Sequence, residues 1–152
     1  MQTRSVAITV TFAALCAGSA SLANDDWTGW LGPQRNGWVS NFQPPAQWPA
    51  SLTKVWNVKV GTGYGSPIVA DGRVYQHARQ ANDEVVWCVD LKTGDIKWRK
   101  SLAVPFKIAG GGDYHGKGPK SSPVIADGRV FTMSITGRLS AWSTDSGELF
   151  WQ

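Results

Sequence analysis

The hydrophobic positions of this chain fall into short runs separated by turn-forming residues, and such runs predict β-strands. Four such runs are followed by a second set of four, which repeats the first set in the same order. The predicted strands are residues 66–70, 73–79, 84–90 and 95–102 in the first copy, and residues 123–126, 129–135, 138–143 and from 148 onward in the second. No helical run appears after residue 23, so we expect an all-β chain.

Glycine and aspartate-rich turns join the runs into hairpins. The predicted turns are Asp71-Gly72, Asn82-Asp83 and Lys92-Thr93-Gly94 in the first copy, and Asp127-Gly128, Thr136-Gly137 and Ser146-Gly147 in the second. Antiparallel strands joined by short hairpins give one up-and-down sheet per copy. The sequence therefore predicts two four-stranded antiparallel sheets, the second of them truncated.

The two copies resemble each other in sequence as well as in pattern. Residues 65–75 return as residues 120–131, and residues 88–98 return as residues 141–151. Matching positions lie 56 residues apart in the first pair and 53 residues apart in the second. A four-stranded unit that repeats at this period is typical of a β-propeller blade. We therefore predict a propeller of which about two blades are present.

The remaining segments differ from the blades in composition. The predicted organisation is a signal peptide at 1–23, a Trp/Gly/Pro-rich arm at 24–52, a lone strand at 53–60 that could close the ring, a first blade at 61–104, a Gly-rich interblade loop at 105–121 and a second, truncated blade at 122–152. Propellers close with about four to eight blades. We therefore expect an N-terminal portion of a longer protein; the alternative is a short protein that oligomerises to close a ring.

The N-terminus has the three parts of a secretory signal. Arg4 precedes an apolar run at 6–15 that is too short to span a bilayer, and Ser21-Leu22-Ala23 is a small-x-small cleavage pattern. We expect cleavage after Ala23 and export to the periplasm or the cell exterior. The alternatives are a short membrane anchor and a lipoprotein signal that ends at Cys16.

Composition and charge argue against some classes of function. The chain has 152 residues with 17 Gly, 9 Trp and a formal net charge of +4. The basic residues are scattered and form no stripe, which argues against a nucleic-acid interface. Cys88 would be the one cysteine left after cleavage, and its place within a strand favours a small buried side chain over a reactive thiol.

Each copy ends in a turn followed by a tryptophan. The positions are Cys88, Asp90, Thr93, Gly94 and Trp98 in the first copy, and Ala141, Ser143, Ser146, Gly147 and Trp151 in the second. Asp90 can accept hydrogen bonds from the turn amides, and Ser143 can do so more weakly. We expect Trp56, Trp98 and Trp151 each to pack into the gap beside a neighbouring blade.

This pattern resembles the tryptophan-docking motif of the quinoprotein (PQQ-like) propeller repeat. The arm at 26–37 resembles the entry segment of secreted bacterial members of that family. The resemblance implies that blades dock through Asp90, Thr93, Gly94, Trp98, Ser146, Gly147 and Trp151.

Chemical signals outside the repeat are weak. Residues 111–118 have part of the spacing of a phosphate loop, but Gly118 replaces the metal-binding Ser or Thr and a strand follows. His77 and His115 have no metal-ligand spacing. Because interblade loops line the ligand-binding faces of propellers, the candidate residues are Asp113, Tyr114, His115, Lys117 and Lys120. Aromatic and basic residues of the arm could stack on sugars or nucleic acid, although packing onto the propeller is the simpler use.

Two functions agree with the resemblance. The first is an exported, non-catalytic scaffold that binds proteins in the cell envelope, similar to an outer-membrane assembly lipoprotein with this repeat and no cofactor. The alternative is a PQQ-dependent alcohol or sugar dehydrogenase, for which the resemblance implies PQQ and Ca²⁺. No residue of this sequence can be assigned to that cofactor or to calcium, so its active-site residues would lie in other blades. A repeat fixes a fold and not a function, and we favour the scaffold.

Overall fold

The computed structural model describes residues 26–40, 42–108 and 112–152. The predicted signal peptide, residues 1–23, lies outside these ranges. Within the described ranges, eight strands form two four-stranded antiparallel sheets, each with its strands in chain order. They are β1 Ile68–Ala70, β2 Arg73–Gln80, β3 Asp83–Asp90, β4 Ile96–Ala103, β5 Val124–Ala126, β6 Arg129–Met133, β7 Leu139–Ser143 and β8 Leu149–Trp151. The all-β, two-sheet prediction is confirmed.

The two sheets share their detailed geometry. Both first hairpins turn through an aspartate and a glycine with positive φ, Asp71-Gly72 and Asp127-Gly128, as a tight two-residue hairpin requires. The pairing of the two outer strands shifts register between Cys88 and Val89 in the first sheet and between Ala141 and Trp142 in the second. These bulges occupy equivalent sequence positions, so the repeat extends to a backbone irregularity.

One predicted turn is wrong by a residue. The hairpin between β2 and β3 turns at Ala81 and Asn82, and Asp83 is already the first residue of β3, paired with Gln80. Arg79 and Glu84 are then directly opposite each other across the hairpin. Their buried ion contact fits this register, whereas a later turn would separate the pair.

Residues 53–60, which the sequence predicts to be a lone strand, form no β-ladder among the described residues. A strand is defined by its hydrogen-bonded neighbour, and the described residues offer this segment none. Its side chains nevertheless alternate as in a strand, because Trp56, Val58 and Val60 are partly buried while the residues between them are exposed. These three pack on the face of β3 formed by Val85, Trp87 and Val89.

A second apolar cluster joins the two sheets. Its buried members are Ile68, Ala70, Tyr75, Val86, Cys88, Trp98, Val130 and Trp142. Both faces of the first sheet are thus covered, one by the second sheet and the other by residues 56–60. Face-to-face packing of this kind is what a propeller blade requires.

The connections divide between the two ends of the sheets. The turn at 81–82, residues 104–108 and 112–123 of the connection between β4 and β5, and the turn at 135–137 lie at one end, which we call the loop end. The turns at 71–72, 91–94, 127–128 and 144–147 lie at the other, the docking end. The loop end contains a short 3₁₀ helix, Gly112–His115. Within the described ranges, no helix is long and apolar enough to cross a membrane.

Candidate functional site

At the docking end, tryptophans from one element lie on the turn of the next. Trp98, in β4, donates from Nε1 to the carbonyl of Thr144 at 2.9 Å. Trp56 makes the equivalent bond to the carbonyl of Leu91 at 3.0 Å. Leu91 and Thr144 are matching positions of the two sequence copies. The same indole-to-turn bond therefore occurs twice.

A glycine beneath each indole permits this close approach. A Cβ on Gly147 would lie 2.6 Å from Cε3 of Trp98, and a Cβ on Gly94 would lie 2.8 Å from Cγ of Trp56. Both glycines have positive φ, +67° and +79°. A larger residue would both displace the ring and strain the backbone.

The turns themselves are held by the residue at their start. Asp90 Oδ1 accepts hydrogen bonds from the amides of Lys92 and Thr93, both at 3.0 Å. In the second copy, Ser143 Oγ accepts from the amides of Asp145 and Ser146, both at 3.2 Å. Ser143 thus takes the place of the aspartate, with longer bonds to the same two positions of the turn.

Further contacts stabilise both turns. Thr93 Oγ1 donates to Asp95 at 2.7 Å, and Ser146 Oγ accepts from the amide of Glu148 at 3.2 Å. Lys97, the residue at the bulge of β4, lies 3.1 Å from Asp90 Oδ2. The bond from the Thr93 amide, followed by the contacts of Lys97 and the Lys92 amide, lowers the pKa of Asp90 to about 2. Asp90 is therefore ionised across the physiological pH range.

The carbonyl of Thr144 also accepts hydrogen bonds from two other donors of the first sheet. Arg73 Nη1 donates to it at 3.0 Å and the hydroxyl of Tyr75 at 3.3 Å. Arg73 also contacts Asp145 at 3.0 Å. Burial, together with the neighbouring Cys88, raises the pKa of Tyr75 to about 12, so its hydroxyl stays protonated. Burial likewise raises the pKa of the Cys88 thiol, in agreement with a packing role.

Trp151 has the matching position in the second sheet, but its surroundings differ. Trp151 is 45% exposed, and its ring contacts the ring of Phe131 with the two ring centroids 6.1 Å apart. Among the described residues, its indole has no turn on which to lie.

At the loop end, the structure brings three of the five predicted candidates together. Tyr114 is 90% exposed and meets His115 edge to face, with ring centroids 5.1 Å apart. The ammonium of Lys120 bonds to the carbonyl of His115 and lies 3.6 Å from the ring centre of Tyr64. Lys120 is therefore engaged in holding the loop, and Tyr64 is an aromatic neighbour that the sequence reading did not include.

The other two candidates contribute differently. Lys117 is exposed, and its carbonyl accepts a 2.7 Å hydrogen bond from Nε of the buried Arg79. Asp113 belongs to the 3₁₀ helix, and the placement of its side chain is outside the description. The interblade loop is thus anchored to the first sheet through its backbone.

Beneath this loop lies a buried ionic cluster that sequence reasoning missed. Glu84 Oε2 is 3.1 Å from His77 Nε2, and Glu84 Oε1 is 3.4 Å from Arg79 Nη2. All three residues are at most 5% exposed. The cluster also holds the second sheet, because the amide of Ile135 donates to Glu84 Oε1 at 3.0 Å. Arg79 reaches the start of the interblade loop, donating to the carbonyl of Val104 at 2.9 Å.

The pKa of Glu84 follows from its contacts. Burial alone would raise this pKa, but the contact with His77, the bond from the Ile135 amide and the nearby guanidinium of Arg79 lower it below its ordinary value. Nδ1 of His77 is buried with no hydrogen-bond partner among the residues described. The signal that could have identified the cluster was the position of Arg79 and Glu84, which flank the hairpin turn at equal distance.

A match to a protein-family model agrees with this geometry. A family model described as "Outer membrane protein assembly factor BamB" matches residues 49–111 and, in a second overlapping match, residues 83–152. No curated protein matches the chain. Among solved structures, a "Europium-containing methanol dehydrogenase" matches with 22% identity and a TM-score of 0.44, over 63% of this chain and 17% of that one. The resemblance to PQQ-like propeller repeats is confirmed.

Proposed function

Because the chain belongs to the family of the outer membrane protein assembly factor BamB, we propose that it is part of an exported, non-catalytic propeller that binds other proteins in the cell envelope. The observation that carries this proposal is the family match, which runs through both sheets and the loop between them. Protein binding is the role that the family's printed description implies. Export is supported by the signal pattern at residues 1–23.

The loop end is the surface that we propose meets the partner. Tyr114 exposes an aromatic ring there, and aromatic residues are enriched at protein interfaces. The loop that carries it is tied down by Lys120 and, through the carbonyl of Lys117, by Arg79. A fixed loop loses less conformational entropy on binding than a free one.

We further propose that additional blades complete the ring, in two places. Residues 53–60 cover one face of the first sheet through Trp56, Val58 and Val60, and they belong to no ladder among the described residues. Strands of another blade could pair with that edge and close the ring. At the other side, Trp151 would lie on the turn of a following blade, as Trp98 lies on Gly147.

Site-specific crosslinking in cells tests the protein-binding role. A photo-reactive amino acid at Tyr114 of the intact protein should give a defined crosslinked species in envelope fractions. The same substitution at Lys92, an exposed turn residue at the docking end, is the matched control and should give no such species. Equal crosslinking from both positions, or none from Tyr114, would contradict the assignment of the loop end.

A reconstitution experiment tests the alternative chemistry. Within residues 26–40, 42–108 and 112–152, no three His, Cys, Asp or Glu groups are placed to share a metal ion. We expect the intact protein, incubated with PQQ and Ca²⁺, to show no dye-linked oxidation of alcohols or sugars. Oxidation under these conditions would overturn the scaffold proposal in favour of a dehydrogenase.

A further inference from the structure

A cavity of about 430 Å³ lies between the arm and the inner strand of the second sheet. One side is formed by arm residues, including Thr28, Trp30 and Arg35. The other side is β5, with Val124, Ile125 and Ala126. This volume is within the range of small-molecule sites. The cavity is separate from the loop-end residues discussed above and from the buried ionic cluster.

Hydrogen bonds fix both walls of the cavity. The arm is held to β1 by a pair of backbone bonds between Trp27 and Val69, at 2.7 and 2.9 Å. It is held to β5 by the bond from the Ile125 amide to the carbonyl of Thr28, at 2.8 Å. The walls therefore belong to elements tied to both sheets, and the cavity does not depend on a free loop.

The arm uses its tryptophans in different ways. The ring of Trp27 packs under the arm, since a Cβ on Gly32 would lie 2.7 Å from its Cζ3. Trp30 lines the cavity and remains 63% exposed. Packing of the arm thus accounts for Trp27 but leaves the face of Trp30 open to a ligand.

Arg35 has two properties that packing does not explain. Its backbone has φ +55°, in the left-handed region that non-glycine residues adopt at a cost. Among the described residues, its guanidinium has no hydrogen bond or ion pair. Arg35 therefore gives the lining of the cavity an exposed cation that no described residue neutralises.

We propose that this cavity binds an acidic sugar, a uronic acid unit of an oligosaccharide. The apolar face of a pyranose ring can stack on the indole of Trp30. The carboxylate of the sugar would pair with the guanidinium of Arg35, whose fork of donors matches a carboxylate. The hydroxyl of Thr28 adds a donor or acceptor for a ring hydroxyl, and β5 supplies the apolar floor.

Titration calorimetry on the intact protein tests this site, with trigalacturonic acid as the ligand and the neutral galactose trimer as its matched control. We expect the acidic trimer to bind at least about tenfold more tightly, the ratio expected for one charge-assisted carboxylate pair. Equal affinities for the two trimers, or binding of neither, would overturn the proposal.

Two variants assign the binding to the cavity. Arg35→Asn removes the cation with a residue that tolerates positive φ, and it should reduce the preference for the acidic trimer to about onefold. Trp30→Ala should weaken binding of both trimers. Trp38→Ala is the control, because Trp38 is an exposed tryptophan of the same arm that does not line the cavity. Unchanged affinity in Arg35→Asn and Trp30→Ala, with thermal unfolding like that of the parent, would contradict the site.

The sugar site and the protein-binding role are tested by independent experiments, so either proposal can be contradicted without the other. Loss of crosslinking at Tyr114 leaves the calorimetry unaffected, and loss of sugar binding leaves the crosslinking unaffected. Binding of PQQ in competition with the acidic trimer would instead assign the cavity to a cofactor and overturn the sugar proposal.

Discussion

At the scale of single residues, sequence and packing are connected most directly at the two glycines that lie under tryptophan rings. Gly94 and Gly147 end up under indoles that come from elsewhere in the chain, Trp56 and Trp98. A side chain at either glycine would occupy the space of a ring. The backbone at both positions is also left-handed, so two separate physical requirements select the same residue type.

Alanine substitution separates these two requirements. Gly147→Ala should lower the free energy of unfolding by about 1–2 kcal/mol for the left-handed backbone and by about 1–3 kcal/mol more for displacement of Trp98. Gly137→Ala is the matched control, since Gly137 has φ +83° and open space around its Cβ position. Urea unfolding of the intact protein, followed by tryptophan fluorescence, measures both. Equal losses in the two variants would show that the indole does not press on Gly147.

Some contacts between residues could be predicted from the sequence, and others could not. The turn bonds of Asp90 and Ser143 were predictable, because they are local and recur in both copies. The contact of Tyr64 with Lys120 was not, because it joins two loops across 56 residues and no periodic pattern marks it. Likewise, the pairing of His77 with Glu84 becomes visible only when the hairpin register is known.

At the scale of elements, the hairpin of β2 and β3 does more than complete a sheet. Its end carries Arg79 and Glu84, and these two residues bond to the interblade loop and to the second sheet. Three elements thus meet at one buried carboxylate. Removing one partner of such a cluster leaves the others buried and uncompensated, which is costly.

Glu84→Gln should therefore destabilise the protein by about 3 kcal/mol or more. The pKa of Glu84 is lowered in the folded state, so its contribution to stability is present above the pKa of the unfolded chain and is lost as the pH falls through the lower folded value. The urea midpoint of the parent should drop on acidification below about pH 4, and that of Glu84→Gln should drop less. Asp83→Asn, one position earlier in β3, is the control and should keep the parent's acid sensitivity. Parallel pH profiles for the parent and Glu84→Gln would contradict this role.

At the scale of the whole molecule, the strands were predictable to within a few residues and the blade identity followed from the repeat. Short apolar runs between Asp-Gly turns specify hairpins locally. Residues 53–60 differ from these strands, because their burial alternates as in a strand but they belong to no ladder within the described residues. An alternating pattern indicates which side chains are buried, but it does not indicate whether the backbone pairs with a neighbouring strand.

Comparison of two tryptophans tests whether further blades follow. Trp98→Ala should cost about 3–5 kcal/mol, the range for a buried aromatic deletion, because Trp98 is 8% exposed and bonded to Thr144. If another turn covers Trp151 in the intact protein, Trp151→Ala should cost a similar amount. A loss below about 0.5 kcal/mol for Trp151→Ala, the size expected at the surface, would show that no blade docks on it.

The direction of the indole contacts has a consequence for how the protein forms. Each contact runs from an earlier residue to a later turn, from Trp56 to Leu91 and from Trp98 to Thr144. If the chain emerges from a membrane pore with its N-terminus first, each hairpin sheet can form once its own strands have emerged. Trp56 and Trp98 are covered only after the later turns at Leu91 and Thr144 have followed. Burial of each of these two indoles therefore lags behind the strand or segment that carries it.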